Sequence, residues 1–178
     1  MRIPEACRCL AILSILASSA IALADGPGLG KPADPELIRR MDLTILPDGK
    51  DLPPGRGSVK EGKAVYEAKC LACHGVDGRG DPMDRLTGGV GSLTLDKPLK
   101  TVNSYWPYAT TVFDYIRRAM PLPTPQTLTA DEVYGLTAYI LSIDGVVKPD
   151  AVMDARTLPK VKMPNSAGFV NWQATSRR

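Results

Sequence analysis

Cys70-Leu71-Ala72-Cys73-His74 constrains this chain more than any other stretch of it. C-x-x-C-H is the attachment sequence of a c-type haem, in which two thiols add across the haem vinyls and the next residue supplies an iron ligand. The spacing is mechanical: two cysteines three apart on a helical turn present both sulfurs to one haem edge, and the following imidazole lies beneath the iron. A structural zinc site needs four ligands, and the chain has one histidine and four cysteines. Two of those, Cys7 and Cys9, fall in a leader described next. A thioredoxin-like redox pair calls for a βαβ context and no trailing histidine. The expectation is one covalent haem c on Cys70 and Cys73, with His74 as an axial ligand of its iron.

Residues 1–24 read as an export signal. Arg2 and Arg8 make a basic start, Leu10 to Leu23 is almost wholly apolar, and Ala22-Leu23-Ala24 is an A-x-A cleavage site before Asp25. The apolar run is shorter than the roughly 20 residues of a membrane span, so no span is expected after cleavage. A periplasmic location is expected, which agrees with the extracytoplasmic site of this kind of haem attachment. Loss of Arg2, Glu5 and Arg8 takes the formal net charge from +3 to +2, which haem propionates would offset. Nothing in that balance points to nucleic acid as a partner.

The rest divides into an arm at 25–57, a haem domain at 58–145 and a second arm at 146–178. Gly26-Pro27-Gly28, Lys31-Pro32 and Pro53-Pro54-Gly55 mark the first arm as loop. Within it, Asp34 as N-cap and Pro35 at the first helical position predict a short helix to Met41. Ser58-Val59-Lys60-Glu61 is a capping box that opens a helix to about Leu71, and Thr129-Ala130-Asp131-Glu132 opens another to about Ser142. Gly62 and Tyr66 share one face of the first, where a second helix can cross closely. Val133, Leu136, Tyr139 and Ile140 stripe the last helix, and Val112, Tyr115, Ile116 and Ala119 stripe one between them. An early helix carrying the haem cysteines, crossed by a late one, resembles class I cytochrome c: an all-α fold around one covalent haem, with extended arms.

A sixth ligand for the iron must come from outside the motif. With His74 the only histidine, the candidates are Met41, Met83, Met120, Met153 and Met163. Met83 follows His74 too closely to reach the far haem face with ease. Met120, just before Pro121 in the loop after the middle helix, can swing its thioether over the iron, and the proline stiffens its exit. Met163-Pro164 is the rival, in the tail, and an open or otherwise ligated iron is a third alternative. Met120 as a pocket-filling side chain is the plain alternative to its role as a ligand.

The segment from Asn103-Ser104-Tyr105-Trp106-Pro107-Tyr108 into Val112-Phe113-Asp114-Tyr115-Ile116-Arg117-Arg118-Ala119-Met120-Pro121 carries a closer resemblance. So do Asp131 to Leu141 in the last helix, Pro47-Asp48-Gly49 and Leu52-Pro53-Pro54-Gly55 in the arm, and Lys162-Met163-Pro164-Asn165 in the tail. Together these are similar to the haem domain of the sulfur-oxidation cytochromes, namely the sulfane dehydrogenase cytochrome subunit and related sulfite dehydrogenase cytochromes. The dihaem member of that family has a second haem domain, and this chain has no second C-x-x-C-H. The resemblance argues against Met163 as the ligand. It implies a one-electron carrier whose donor is a molybdenum-containing sulfite or sulfane dehydrogenase, with an acceptor downstream. A general shuttle for another dehydrogenase, or a five-coordinate haem enzyme or sensor, are the alternatives. Tyr105, Trp106 and Tyr108 are candidates to line the haem pocket, with core packing as the other reading. Arg117 and Arg118 are candidates to face a propionate, a partner or plain solvent.

Overall fold

The computed structural model describes residues 29–170, so the leader assigned to residues 1–24 lies outside the described part. The chain divides into two compact units, 1–38 and 39–178. The first helix, α1 (Pro35–Met41), begins where Asp34 and Pro35 place it, with the Asp34 carboxylate accepting from the Glu36 amide at 2.7 Å. The helix runs across the 38/39 boundary, and the described elements after it belong to the second unit.

Five further α-helices follow: α2 (Val59–Lys69), α3 (Leu71–His74), α4 (Val102–Tyr105), α5 (Ala109–Ala119) and α6 (Ala130–Ile143). Both expected capping boxes form. The Ser58 hydroxyl accepts from the Glu61 amide at 3.2 Å while the Ser58 amide donates to the Glu61 carboxylate at 2.8 Å. Thr129 and Glu132 repeat the arrangement at 3.2 and 2.9 Å. Each box satisfies amides that the first turn of a helix leaves without partners. The helix expected to run unbroken through Leu71 bends at Cys70 instead. There the backbone departs from helical values, and α3 restarts one residue later.

Two helices set the frame. In α6 every side chain from Val133 to Leu141 is buried, the pattern of a helix enclosed on all sides. α2 crosses it at Gly62, so close that a Cβ on Gly62 would strike the carbonyl of Gly135. Beside that contact the rings of Tyr66 and Tyr139 pack at 5.2 Å, and Lys69 Nζ pairs with Glu132 at 2.6 Å. On the other side of α6, Phe113 of α5 packs on Tyr134 at 4.5 Å between ring centres.

The flanks are built in as well. Strand β1 (Arg56–Ser58) pairs antiparallel with β2 (Val152–Asp154), with Gly57 opposite Met153. This two-stranded ribbon was not foreseen from the sequence. Gly57 also lies against the backbone of Gly135, where a side chain would collide. Upstream, the Ile45 amide donates to Asp114 at 3.1 Å, Thr110 donates to the Pro47 carbonyl at 3.2 Å, and Tyr134 donates to the Pro53 carbonyl at 2.8 Å. Downstream, Leu158 and Met163 are buried in the same core as Tyr66 and Val133. Among the described residues no helix is long and apolar enough to cross a membrane.

Two outcomes test this frame. Gly62→Ala gains up to about 1 kcal/mol of helix propensity but forces α2 off α6, at a cost of about 1–3 kcal/mol or more. The collision is with backbone, which cannot rotate aside, so the cost wins. A thermal melt of the variant should show a midpoint lower by roughly 2–8 °C. The second outcome concerns Glu132, whose carboxyl is held below the usual glutamate range first by Lys69 and then by the Thr129 amide. Its contribution is therefore present above the unfolded-state pKa and lost as pH falls through the lower folded value. Half-exposure limits the ion pair's share, so cap and pair together are worth about 1 kcal/mol. Glu132→Gln should lower the denaturant midpoint at pH 7 and leave it nearly unchanged near pH 3.

Candidate haem site

The site is assembled on the α2–α3 bend. Cys70 N–H still donates to the Tyr66 carbonyl at 2.8 Å, and the Cys70 carbonyl accepts from Cys73 at 3.1 Å and His74 at 2.9 Å. Hydrogen bonding thus carries one turn through the bend and brings Cys70, Cys73 and His74 together. Both cysteines are free thiols, half-buried. Burial pushes the Cys70 thiol up to about 11, with Lys69 opposing and Cys73 adding to the rise. The motif follows a helix rather than a strand, and the sheet among the described residues is an antiparallel pair, so the βαβ context of a thioredoxin-like redox pair is missing. The zinc alternative fails on donors: among the described residues no group of three or more His, Cys, Asp or Glu is placed to hold a metal ion.

A loop at 75–86 folds back beneath the histidine. Gly75, Gly78 and Gly80 all take positive φ, and at Gly75 a Cβ would strike the Gly80 carbonyl. The Gly80 amide closes the loop on the His74 carbonyl at 2.9 Å, and the Met83 amide closes it on the Cys73 carbonyl at 2.9 Å. This return brings the Asp84 carbonyl to 3.1 Å from His74 Nδ1. A carbonyl can only accept, so Nδ1 carries the proton and Nε2 keeps its lone pair for a metal. Two thiols one turn apart, with an imidazole held in its metal-binding tautomer, fit a haem c.

Met120 is the C-cap of α5, in extended backbone, with its amide on the Ile116 carbonyl at 3.0 Å. Its side chain is half-buried against the core. Met163 is 1% exposed and Met153 is buried within the ribbon, so the protein itself covers both thioethers. Met83 and Met41 are exposed. Trp106 is half-buried and meets Tyr115 edge-on at 5.6 Å. Tyr105 engages the tail: its ring lies 5.3 Å from that of Phe169, Lys100 Nζ sits 4.9 Å from its centre, and its carbonyl accepts from Asn165 at 2.8 Å. Tyr108 is exposed. Arg118 is taken by Asp114 at 2.7 Å, while Arg117 is half-buried beside Leu43, Pro53 and Gln126.

Sequence reasoning passed over the Asp84 carbonyl, because a backbone acceptor leaves no mark on residue type. It also passed over Asn103, fully buried, whose amide nitrogen donates to the Ile140 carbonyl and to Asp144, both at 2.8 Å. Asp144 accepts from the Gly88 amide as well, at 2.6 Å, and so ties the segment before α4 to the end of α6. A polar residue amid Val102, Tyr105 and Trp106 was the available signal. One experiment tests the attachment. With Cys70 and Cys73 both replaced by serine, haem should extract into acidified organic solvent, whereas it stays with the unsubstituted polypeptide.

Comparison with known proteins agrees with this geometry. The cytochrome c family model matches residues 59–144. Thiosulfate dehydrogenase of Allochromatium vinosum is 31% identical over 86 residues, which cover 46% of this chain and 30% of that protein. A chain in the crystal structure of the sulfane dehydrogenase SoxCD from Paracoccus pantotrophus matches with a TM-score of 0.76 and 42% identity, covering 85% of this chain and 75% of that one. The present chain therefore spans less than a third of the first relative and about three quarters of the second. With likeness in sequence and in shape running through the arms as well as the haem domain, this protein belongs to the class I c-type cytochromes, proteins of electron transfer, in the group typified by the cytochrome of sulfane dehydrogenase.

Proposed function

We propose that this cytochrome carries one haem c, bound through Cys70 and Cys73 and ligated by His74 and Met120, and accepts single electrons from a molybdenum-containing sulfite or sulfane dehydrogenase in the periplasm. The observation that carries the electron-transfer half is the His74 Nδ1 contact to the Asp84 carbonyl. It holds the proton on Nδ1 and leaves Nε2 free to bind a metal, which supports reading the imidazole as an iron ligand. A haem held this way supplies a one-electron couple, and methionine ligation raises its potential.

The assignment of Met120 over Met163 is supported by burial. A thioether that is already covered by protein, as at Met163, fills the core and is not free to meet an iron. Met120 sits at the end of α5, only half covered, and Pro121 follows it. With His74 and Met120 both holding the iron, no site would be left on it for substrate, and the chain's task would reduce to orientation, burial and contact with a redox partner. The sulfur-oxidising assignment is supported by the two relatives, one named a thiosulfate dehydrogenase and the other a sulfane dehydrogenase. Export is supported by the leader pattern at residues 1–24.

Met120→Ala should abolish the sulfur-to-iron absorption band of the oxidised protein and open the iron to cyanide or carbon monoxide. Met163→Ala should leave the band in place and instead lower stability by about 2–5 kcal/mol, the cost of emptying a core site. The reverse result would assign the tail residue as ligand.

Alone, the purified cytochrome should turn over neither sulfite nor thiosulfate. Mixed with the molybdenum dehydrogenase of its source and that enzyme's substrate, it should take up one electron per haem. If charge steers a transient encounter, salt should slow the reaction, since the Debye length shrinks from about 10 Å at 0.1 M to about 3 Å at 1 M. Indifference to salt would indicate a permanent, mainly apolar subunit interface. Reduction by an alcohol or quinol dehydrogenase, and never by the sulfur-oxidising one, would refute the partner while leaving the electron-carrier reading intact.

A further inference from the structure

The loop at 75–86 makes most of its hydrogen bonds to itself and to the α3 turn. The Gly78 carbonyl accepts from Leu86 at 2.8 Å, and the Asp77 carbonyl accepts from the Thr87 hydroxyl at 2.6 Å. Arg85 Nε donates to the Arg79 carbonyl at 2.9 Å. Among the described residues, two side chains hydrogen-bond the loop to the crossed helices. Tyr66 of α2 donates to the Gly75 carbonyl at 2.7 Å, and Tyr139 of α6 donates to the Asp77 carboxylate at 3.0 Å. The two rings pack on each other at 5.2 Å, so the hydroxyls act from one shared block. Asp77 is held at a φ of 53°, in the left-handed region that residues other than glycine enter infrequently.

We propose that the Tyr66 and Tyr139 hydroxyls are positioning groups for His74: they fix the 75–86 loop to the helix crossing so that the Asp84 carbonyl stays on Nδ1. The inference rests on His74 being an iron ligand. Packing alone does not call for hydroxyls here, since phenylalanine would fill the same space and stack as well. Burial raises the pKa of both phenols, that of Tyr66 to about 12, so both remain donors throughout the working range of the protein. The chain of contacts is continuous. Helix crossing, tyrosine pair, Gly75 and Asp77, loop, Asp84 carbonyl and His74 Nδ1 each touch the next. Without the two hydroxyls the Gly75 carbonyl and the Asp77 carboxylate lose their partners on the helices, and the left-handed turn at Asp77 loses its restraint.

The test is NMR on the reduced holo-cytochrome. The Tyr66→Phe, Tyr139→Phe double variant is compared with the unsubstituted protein and with Leu158→Ala, a core truncation away from the loop. Solvent exchange of the His74 Nδ1 proton should be at least tenfold faster in the tyrosine variant, at a temperature where far-UV circular dichroism is unchanged, and not faster in Leu158→Ala. Equal acceleration in Leu158→Ala, or none in the double variant, would overturn the proposal and leave the tyrosines as packing residues. Should the unsubstituted protein lack haem-shifted ring signals from His74, the ligand reading would fall, and this inference with it. If the double variant unfolds too readily, each single variant is measured in the same way, with acceleration expected in both and its absence from both again decisive against the proposal.

Discussion

Everything in this molecule depends on the backbone contact between Gly62 and Gly135. Two helices can approach to that distance only where neither carries a side chain. The approach is what lets Tyr66 meet Tyr139 and Lys69 meet Glu132 along the same seam. The haem cysteines ride on the continuation of α2, so the crossing fixes where the attachment turn stands relative to α6. A third glycine, Gly57, brings the ribbon onto the same spot of α6. Three backbones thus converge on one short stretch of the central helix, and the aromatic packing around them fills the space that the missing side chains leave.

Much of this was legible in the residues. A capping box is a local signal, made by one hydroxyl and one carboxylate within a single turn, and both boxes formed where the sequence placed them. The start of α1 at Asp34-Pro35 was local in the same sense. Gly62 and Tyr66 could be read as a crossing surface because a small residue followed by a ring on one face has few other uses in an amphipathic helix. The attachment motif needed no tertiary information at all.

What escaped the sequence was non-local. The ribbon pairs residues nearly a hundred positions apart through strands of three residues, too short to show alternation. Nothing local in the last helix marked Gly135 as the partner of Gly62. The burial of Met163 could not be read from a tail with no helical pattern, yet it is burial that separates the two rival thioethers. Within the site, the Asp84 carbonyl was invisible because it is backbone, and its position depends on three glycines whose positive φ values fold the loop back.

The ribbon also alters what counts as the folding unit. The segment matched by the cytochrome c family model begins after β1 and ends before β2, so excising it would remove both strands, together with Ile45, Leu158 and Met163 from the core. Joining the two flanks in this way raises the contact order of an otherwise helical protein and ties completion of its core to one late, long-range closure. Until residues 152–154 reach residues 56–58, one side of the central helix stays uncovered. This cytochrome therefore cannot finish folding piecemeal, one helix after another.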